Sequence, residues 1–135
     1  MITATFWGTR GSIPTPGDKT KKYGGNTACV EVRIDDKIFI FDAGTGIREL
    51  GLSLKKEFGS NPINAKIFIS HTHWDHIQGF PFFIPAYIPS NEFHIYGESK
   101  RRRSPKQILS GQMVFPYFPV SLDAMRAKLI FHTLK

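Results

Sequence analysis

Along the first forty residues, apolar and polar positions group into short runs separated by turn residues, the pattern of strands rather than helices. Ile2 to Trp7 predicts a first strand, and the Gly- and Pro-rich segment from Gly8 to Gly17 predicts an irregular loop. Ala28 to Ile34 predicts a second strand, Asp35-Asp36 a turn, and Lys37 to Phe41 the returning hairpin partner, with the pair forming a buried antiparallel edge of a larger sheet. Beyond Asp42-Ala43-Gly44 the period lengthens. Ile47, Leu50, Leu54 and Phe58 recur at helical spacing, with Thr45 as the N-cap and Gly59 as the stop.

Ala65 to Ser70 is a short, nearly continuous apolar run, which predicts a strand covered on both faces. The aromatic stretch Ile77 to Ile88 is interrupted by Pro81 and Pro85, so it predicts a broken helix or packed loop, in which Gly79 to Tyr87 is expected to fill the core, against the alternative of lining a substrate pocket. Downstream, Phe93 to Tyr96 predicts a strand, Pro105 to Met113 and Leu122 to Ala127 short helices, and Lys128 to Leu134 a last strand. This mixture of strands and helices is α/β (α+β), on a scale that fits one domain over residues 1–135.

Composition narrows the class. With 41% hydrophobic and 21% charged residues, the chain reads as an ordinary globular protein. No basic leader precedes an apolar segment and no run approaches a membrane span, which predicts a cytoplasmic protein without a membrane partner. The single cysteine, Cys29, sits in an apolar stretch and is expected to be a buried thiol. A formal net charge of +7 attracts anions, so an anionic small molecule or a nucleic acid is the expected partner. The sharpest basic run, Lys100, Arg101, Arg102 and Arg103, is a candidate phosphate contact, against the alternative of a solvated loop.

The chemistry concentrates in Ser70-His71-Thr72-His73-Trp74-Asp75-His76, which holds three of the chain's five histidines. Composition alone would produce such a cluster on the order of 3 times in ten thousand chains. His71 and His73 lie two apart at a strand end, where extended backbone turns alternate side chains to one face, so two imidazoles can converge on one metal. Asp75 and His76 follow after a turn. Imidazole and carboxylate donors without cysteine suit a divalent Zn, Mn or Fe ion.

The order His-x-His-x-Asp-His, after a strand that ends in Asp42-Ala43-Gly44, resembles the metallo-β-lactamase superfamily along essentially the whole chain. Phe6 to Pro14 and Tyr23 to Thr27 are similar to the openings of its phosphodiesterase and tRNA 3′-processing endonuclease branch. The resemblance implies an αββα sandwich. It also implies that His71 and His73 bind a first metal, that Asp75 and His76 bind a second, most simply both zinc, and that Asp75 exchanges protons with the attacking water. Asp42 corresponds to an acidic residue that orients the metal loop, with a plain turn residue as the alternative. The implied reaction is hydrolysis, above all of phosphodiesters, by a water acidified between two metals.

Members of that family supply further ligands from later segments, and neither His94 nor His132 lies in a matching motif; both are expected in the sheet. The chain therefore reads as the N-terminal half of the sandwich, with one sheet face left to pair with another copy in a homo-oligomer. Two other functions stay open: a catalytically incomplete fragment or interaction module with a partial metal site, and a hydrolase of thioester or lactam-type substrates.

Overall fold

The structure is a computed structural model describing residues 1–135. Six strands form one sheet: β1 (Ile2–Gly8), β2 (Cys29–Ile34), β3 (Lys37–Phe41), β4 (Asn64–Phe68), β5 (Glu92–Glu98) and β6 (Lys128–Leu134), adjacent in chain order. The first three pair antiparallel, and β3 to β6 pair parallel. The β2–β3 hairpin is therefore not an edge, because β1 adds outside it and β1 and β6 form the two edges. The change from antiparallel to parallel pairing falls where helix α1 (Gly46–Phe58) crosses over from β3 to β4, as a parallel connection requires.

Helix α1 buries Ile47, Leu50 and Leu54 against the sheet, one apolar stripe of an amphipathic helix. It stops at Gly59, whose φ of 57° is left-handed and whose N–H donates to the Lys55 carbonyl, a termination glycine performs at low cost. At the other end Thr45 is the N-cap residue, as expected, but its side chain does not cap. The Thr45 hydroxyl makes no cap bond and instead accepts from the Thr27 N–H at 2.8 Å, while the Thr45 N–H donates back to Thr27 Oγ1 at 2.8 Å. A tertiary partner has taken the hydroxyl from the helix terminus.

The core lies on one side of the sheet. Ile38 and Ile40 of β3, Ala65 and Ile67 of β4, and Phe93 and Ile95 of β5 are buried there beneath α1 and the segment from Phe80 to Tyr87. That segment forms two 3₁₀ turns, Phe80–Phe82 and Ile84–Tyr87, and inserts Phe80 and Phe83, both fully buried. β4 differs from its expected coverage on both faces: Ala65 and Ile67 are buried, while Asn64 and Lys66 point into solvent. Its apolar run ends at Ile69, past the strand. Leu122 to Ala127 yields only a 3₁₀ turn over Leu122–Ala124, since its apolar side chains, Leu122 and Met125, are both used as core anchors immediately before β6. Helix α3 (Pro105–Gly111) starts on a capping box between Ser104 and Gln107.

Candidate metal centre

The backbone leaves β4 at Phe68 and turns into a one-turn helix, α2 (Trp74–Ile77). This metal loop is laced to the segment after β3. The Ala43 N–H donates to the His76 carbonyl at 2.8 Å and the Gly79 N–H to the Ala43 carbonyl at 2.9 Å. The two segments approach so closely that a Cβ on Gly44 would lie 2.3 Å from the Asp75 carbonyl oxygen, and one on Gly79 would lie 2.0 Å from the Gly44 carbonyl oxygen. Only glycine permits this contact.

Asp42 lies at the junction with its backbone in the left-handed region, φ 64°, a conformation that costs a non-glycine residue about 1 kcal/mol. Its carboxylate accepts from the Ser70 N–H at 2.8 Å, from the Ser70 hydroxyl at 2.7 Å, and from His76 Nδ1 at 2.9 Å. Those bonds offset the strain, and they orient His76. With Nδ1–H directed at Asp42, Nε2 is the ring nitrogen left with a free lone pair.

Asp75 and His71 lie beside the His76 ring, and His73 lies beside His71. Asp75 Oδ2 lies 3.4 Å from His76 Nε2, and the His71 ring is centred 4.0 Å from the His76 ring and 4.6 Å from that of His73. The Ser12 N–H donates to Asp75 Oδ2 at 2.9 Å and is the main cause of holding its carboxyl below the usual carboxylate range, against the opposing effect of desolvation. Ser12 itself has a φ of 71°, so the loop after β1 also adopts a strained conformation where it meets the metal loop.

Residues 23–114 match the family model of the metallo-beta-lactamase superfamily. The chain belongs to that superfamily. It is 30% identical over 133 residues to the ribonuclease Z of Pyrococcus furiosus and 28% identical over 133 residues to that of Pyrococcus abyssi, in each case over 95% of this chain. It spans 39% of the length of either relative. Among solved structures, human tRNase Z, short form, superposes with a TM-score of 0.63 at 22% identity, over 98% of this chain and 45% of that one. A diphosphatase from the PhnP family superposes with a TM-score of 0.59 at 21% identity, over 100% of this chain and 51% of that one. Both likenesses are of fold.

Membership in the metallo-beta-lactamase superfamily implies use of a divalent metal, and the donor set of this member fits one. Two ligands on a tetrahedral ion with bonds of about 2.0–2.2 Å stand roughly 3.4 Å apart, the separation of Asp75 Oδ2 and His76 Nε2. As the side chains stand, no three His, Cys, Asp or Glu groups meet at one point, so the fit rests on paired donors and on the orientation of His76 by Asp42. His94 and His132 lie elsewhere, on β5 and β6, where His94 Nδ1 is 2.9 Å from His132 Nε2 and His94 Nε2 is 2.9 Å from Glu92. Cys29 is fully buried. Burial raises its thiol pKa, the charges of Asp42 and Glu31 add to the rise, and the group stays protonated.

The basic run borders the loop. Lys100, Arg101 and Arg103 line a surface hollow with Thr72, the residue between His71 and His73; Lys100 is paired with Glu98, and Arg102 stands at the tip of the same turn. Ser12 and Ser70 were not among the sequence candidates. Ser12 reaches Asp75 across 63 positions and Ser70 reaches Asp42 across 28. Their side-chain types carry no metal-binding signal, and only the Gly-rich setting of Ser12 marked its loop as irregular.

Proposed function

We propose that the chain carries the metal-binding half of a phosphodiester hydrolase, acting in the cytoplasm on an anionic substrate such as RNA. The observation that carries this reading is the junction at Asp42, where one carboxylate orients His76 and fixes Ser70 beside His71, in a chain that resembles two ribonuclease Z enzymes. His71 and His73 would hold one divalent ion, and Asp75 and His76 a second, zinc in preference to manganese or iron. When bound, such ions acidify a water nucleophile toward neutral pH and offset negative charge on the phosphate oxygens.

The chain's own residues have separable tasks. Asp42 holds the proton on His76 Nδ1 and so keeps Nε2 available. The Ser12 N–H keeps the Asp75 carboxylate ionised, which favours Asp75 as a ligand first and as a group exchanging protons with water second. Lys100, Arg101, Arg102 and Arg103 attract and hold the substrate's phosphates beside Thr72. Within these 135 residues the uncovered sheet face is met by a second copy of the chain.

The test is hydrolysis of bis-p-nitrophenyl phosphate compared with a thioester, with Asp42→Asn as the structural control. The reading predicts turnover of the phosphodiester at least about tenfold above the thioester, and a loss of about 10- to 100-fold in Asp42→Asn, the usual effect of removing the partner that orients a ligand. Preferential turnover of the thioester would overturn it.

A further inference from the structure

We propose that the cleft beside the metal loop seats one unpaired nucleobase of the substrate, a reading that rests on the phosphodiesterase assignment and adds the base to it. The cleft has a volume of about 630 Å³, within the range of small-molecule sites. Trp74, from between the metal ligands, forms one wall, Phe82 and Tyr117 form others, and Gln107, Gln112 and Arg103 supply its polar groups. The three aromatic side chains are 75%, 53% and 86% exposed. Large rings gathered around one concavity and left in water mark a binding surface, and rings that present open faces are what unpaired bases stack on.

Two of the three glutamines that line the cleft, Gln107 and Gln112, have opposite free ends; the third, Gln78, donates its Nε2 to Thr27 Oγ1 at 3.4 Å. The Gln107 carbonyl Oε1 accepts from the Ser104 N–H at 2.8 Å as part of the α3 capping box, so its amide N–H₂ is the free end. Gln112 is oriented the other way: its Nε2 donates to the Ile77 carbonyl at 2.9 Å, which leaves Oε1 free. Both orientations follow from partners that can only donate or only accept. Gln107 and Gln112 therefore offer a donor and an acceptor from side chains lining the same aromatic hollow, the complement of a flat heterocycle whose edge carries both.

Charge places the phosphate on the neighbouring side. Thr72, Arg103 and Ile108 line both this cleft and the hollow that holds Lys100 and Arg101, so the two depressions meet beside His71 and His73. Arg101 and Arg102 occupy a two-residue turn closed by Lys100 N–H to Arg103 O at 3.0 Å and Arg103 N–H to Lys100 O at 2.9 Å. Their φ angles are 47° and 66°, left-handed values that asparagine and glycine adopt more readily at such a turn. Two arginines kept at strained positions beside a metal loop fit a cationic wall for the backbone, and a base attached to that backbone falls within reach of the aromatic cleft.

The experiment compares binding of a fluorescein-labelled single-stranded hexaribonucleotide with an abasic hexamer of equal charge, using the full 135-residue chain in chelator so that no strand is cut. The proposal predicts at least about tenfold tighter binding of the base-bearing strand, since stacking contributes on the order of tenfold or more per base. Tyr117→Ala, at a side chain 86% exposed, should bring that preference close to the abasic level, and Tyr117→Phe should restore it. The double substitution Arg101→Asn, Arg102→Gly should weaken both strands by the same factor and raise the melting temperature. Equal binding of the two strands, a preference untouched by Tyr117→Ala, or binding of neither strand would each overturn the base seat. Turnover of bis-p-nitrophenyl phosphate is measured separately and decides the phosphodiesterase reading by itself.

Discussion

On the face of the sheet beneath α1, Ile38, Ile40, Ala65, Ile67, Phe93 and Ile95 are at most 5% exposed. On the opposite face the neighbouring residues of the same strands stack in the open: Phe41 on Phe68 at 5.4 Å, Phe68 on Tyr96 at 4.8 Å, and Tyr96 on His132 at 4.3 Å. The apolar surface continues outward through Val30 and Val32 to Phe6, which is 67% exposed. A strand such as β3, Lys-Ile-Phe-Ile-Phe, is apolar on both sides and therefore built for two covering layers. One layer is made by these residues. The metal loop sits at the C-terminal end of the same strands, so its support comes from the covered side alone.

The largest effect should follow from truncating the covered face. Phe93→Ala removes a fully buried ring and should cost about 3–5 kcal/mol in urea denaturation, whereas Phe68→Ala on the open face should cost about 1 kcal/mol, the size of its stacking contacts. Equal losses would erase the distinction between the faces. Self-association provides the next comparison. The open aromatic stack, with Val30, Val32 and Phe6 beside it, should drive the 135-residue chain to dimerise in light scattering, and Phe41→Lys with Phe68→Lys should return it to monomer without unfolding it. A wild-type chain that stays monomeric at high concentration would show that the open face tolerates water.

The smallest effect lies on the covered side, where Arg33 donates to Glu57 of α1 through its two terminal guanidinium nitrogens, at 2.6 and 2.7 Å, and through Nε to the buried Glu31 at 2.6 Å. The Arg33 bond is the main cause of holding the Glu57 carboxyl below its ordinary value. A carboxylate depressed in the folded state stabilises above its unfolded pKa, and that contribution is lost as pH falls through the folded value. Glu57 is half exposed, so Glu57→Gln should cost less than about 1 kcal/mol at pH 7. The difference from wild type should vanish in acid, as pH-dependent melting would show.

These faces also explain which features could be read in advance. The β2–β3 hairpin, the stripe of α1 and the histidine-rich loop from His71 to His76 are local in sequence, and each carries its own period or spacing. The failures come from partners distant in the chain. Thr45 looked like a helix cap because nothing nearby competes for its hydroxyl, but Thr27 does. The run ending at Ile69 suggested a strand covered twice because it is nearly continuously apolar, but Lys66 within it faces solvent. Ser12 and Ser70 were missed because a backbone N–H and a hydroxyl become site groups only when folding brings Asp75 and Asp42 to them. The cleft lined by Trp74 and Tyr117 joins residues 43 positions apart through loops, and no periodicity links them.

The central claim, that His71, His73, Asp75 and His76 form a metal centre oriented through Asp42, is tested most directly by elemental analysis of the chain purified without chelator, beside the double substitution His71→Ala, His73→Ala. The account predicts about two divalent ions per chain, lost in large part from the double variant. Less than about 0.1 ion per chain in the wild-type protein, or equal metal content in the two, would contradict it.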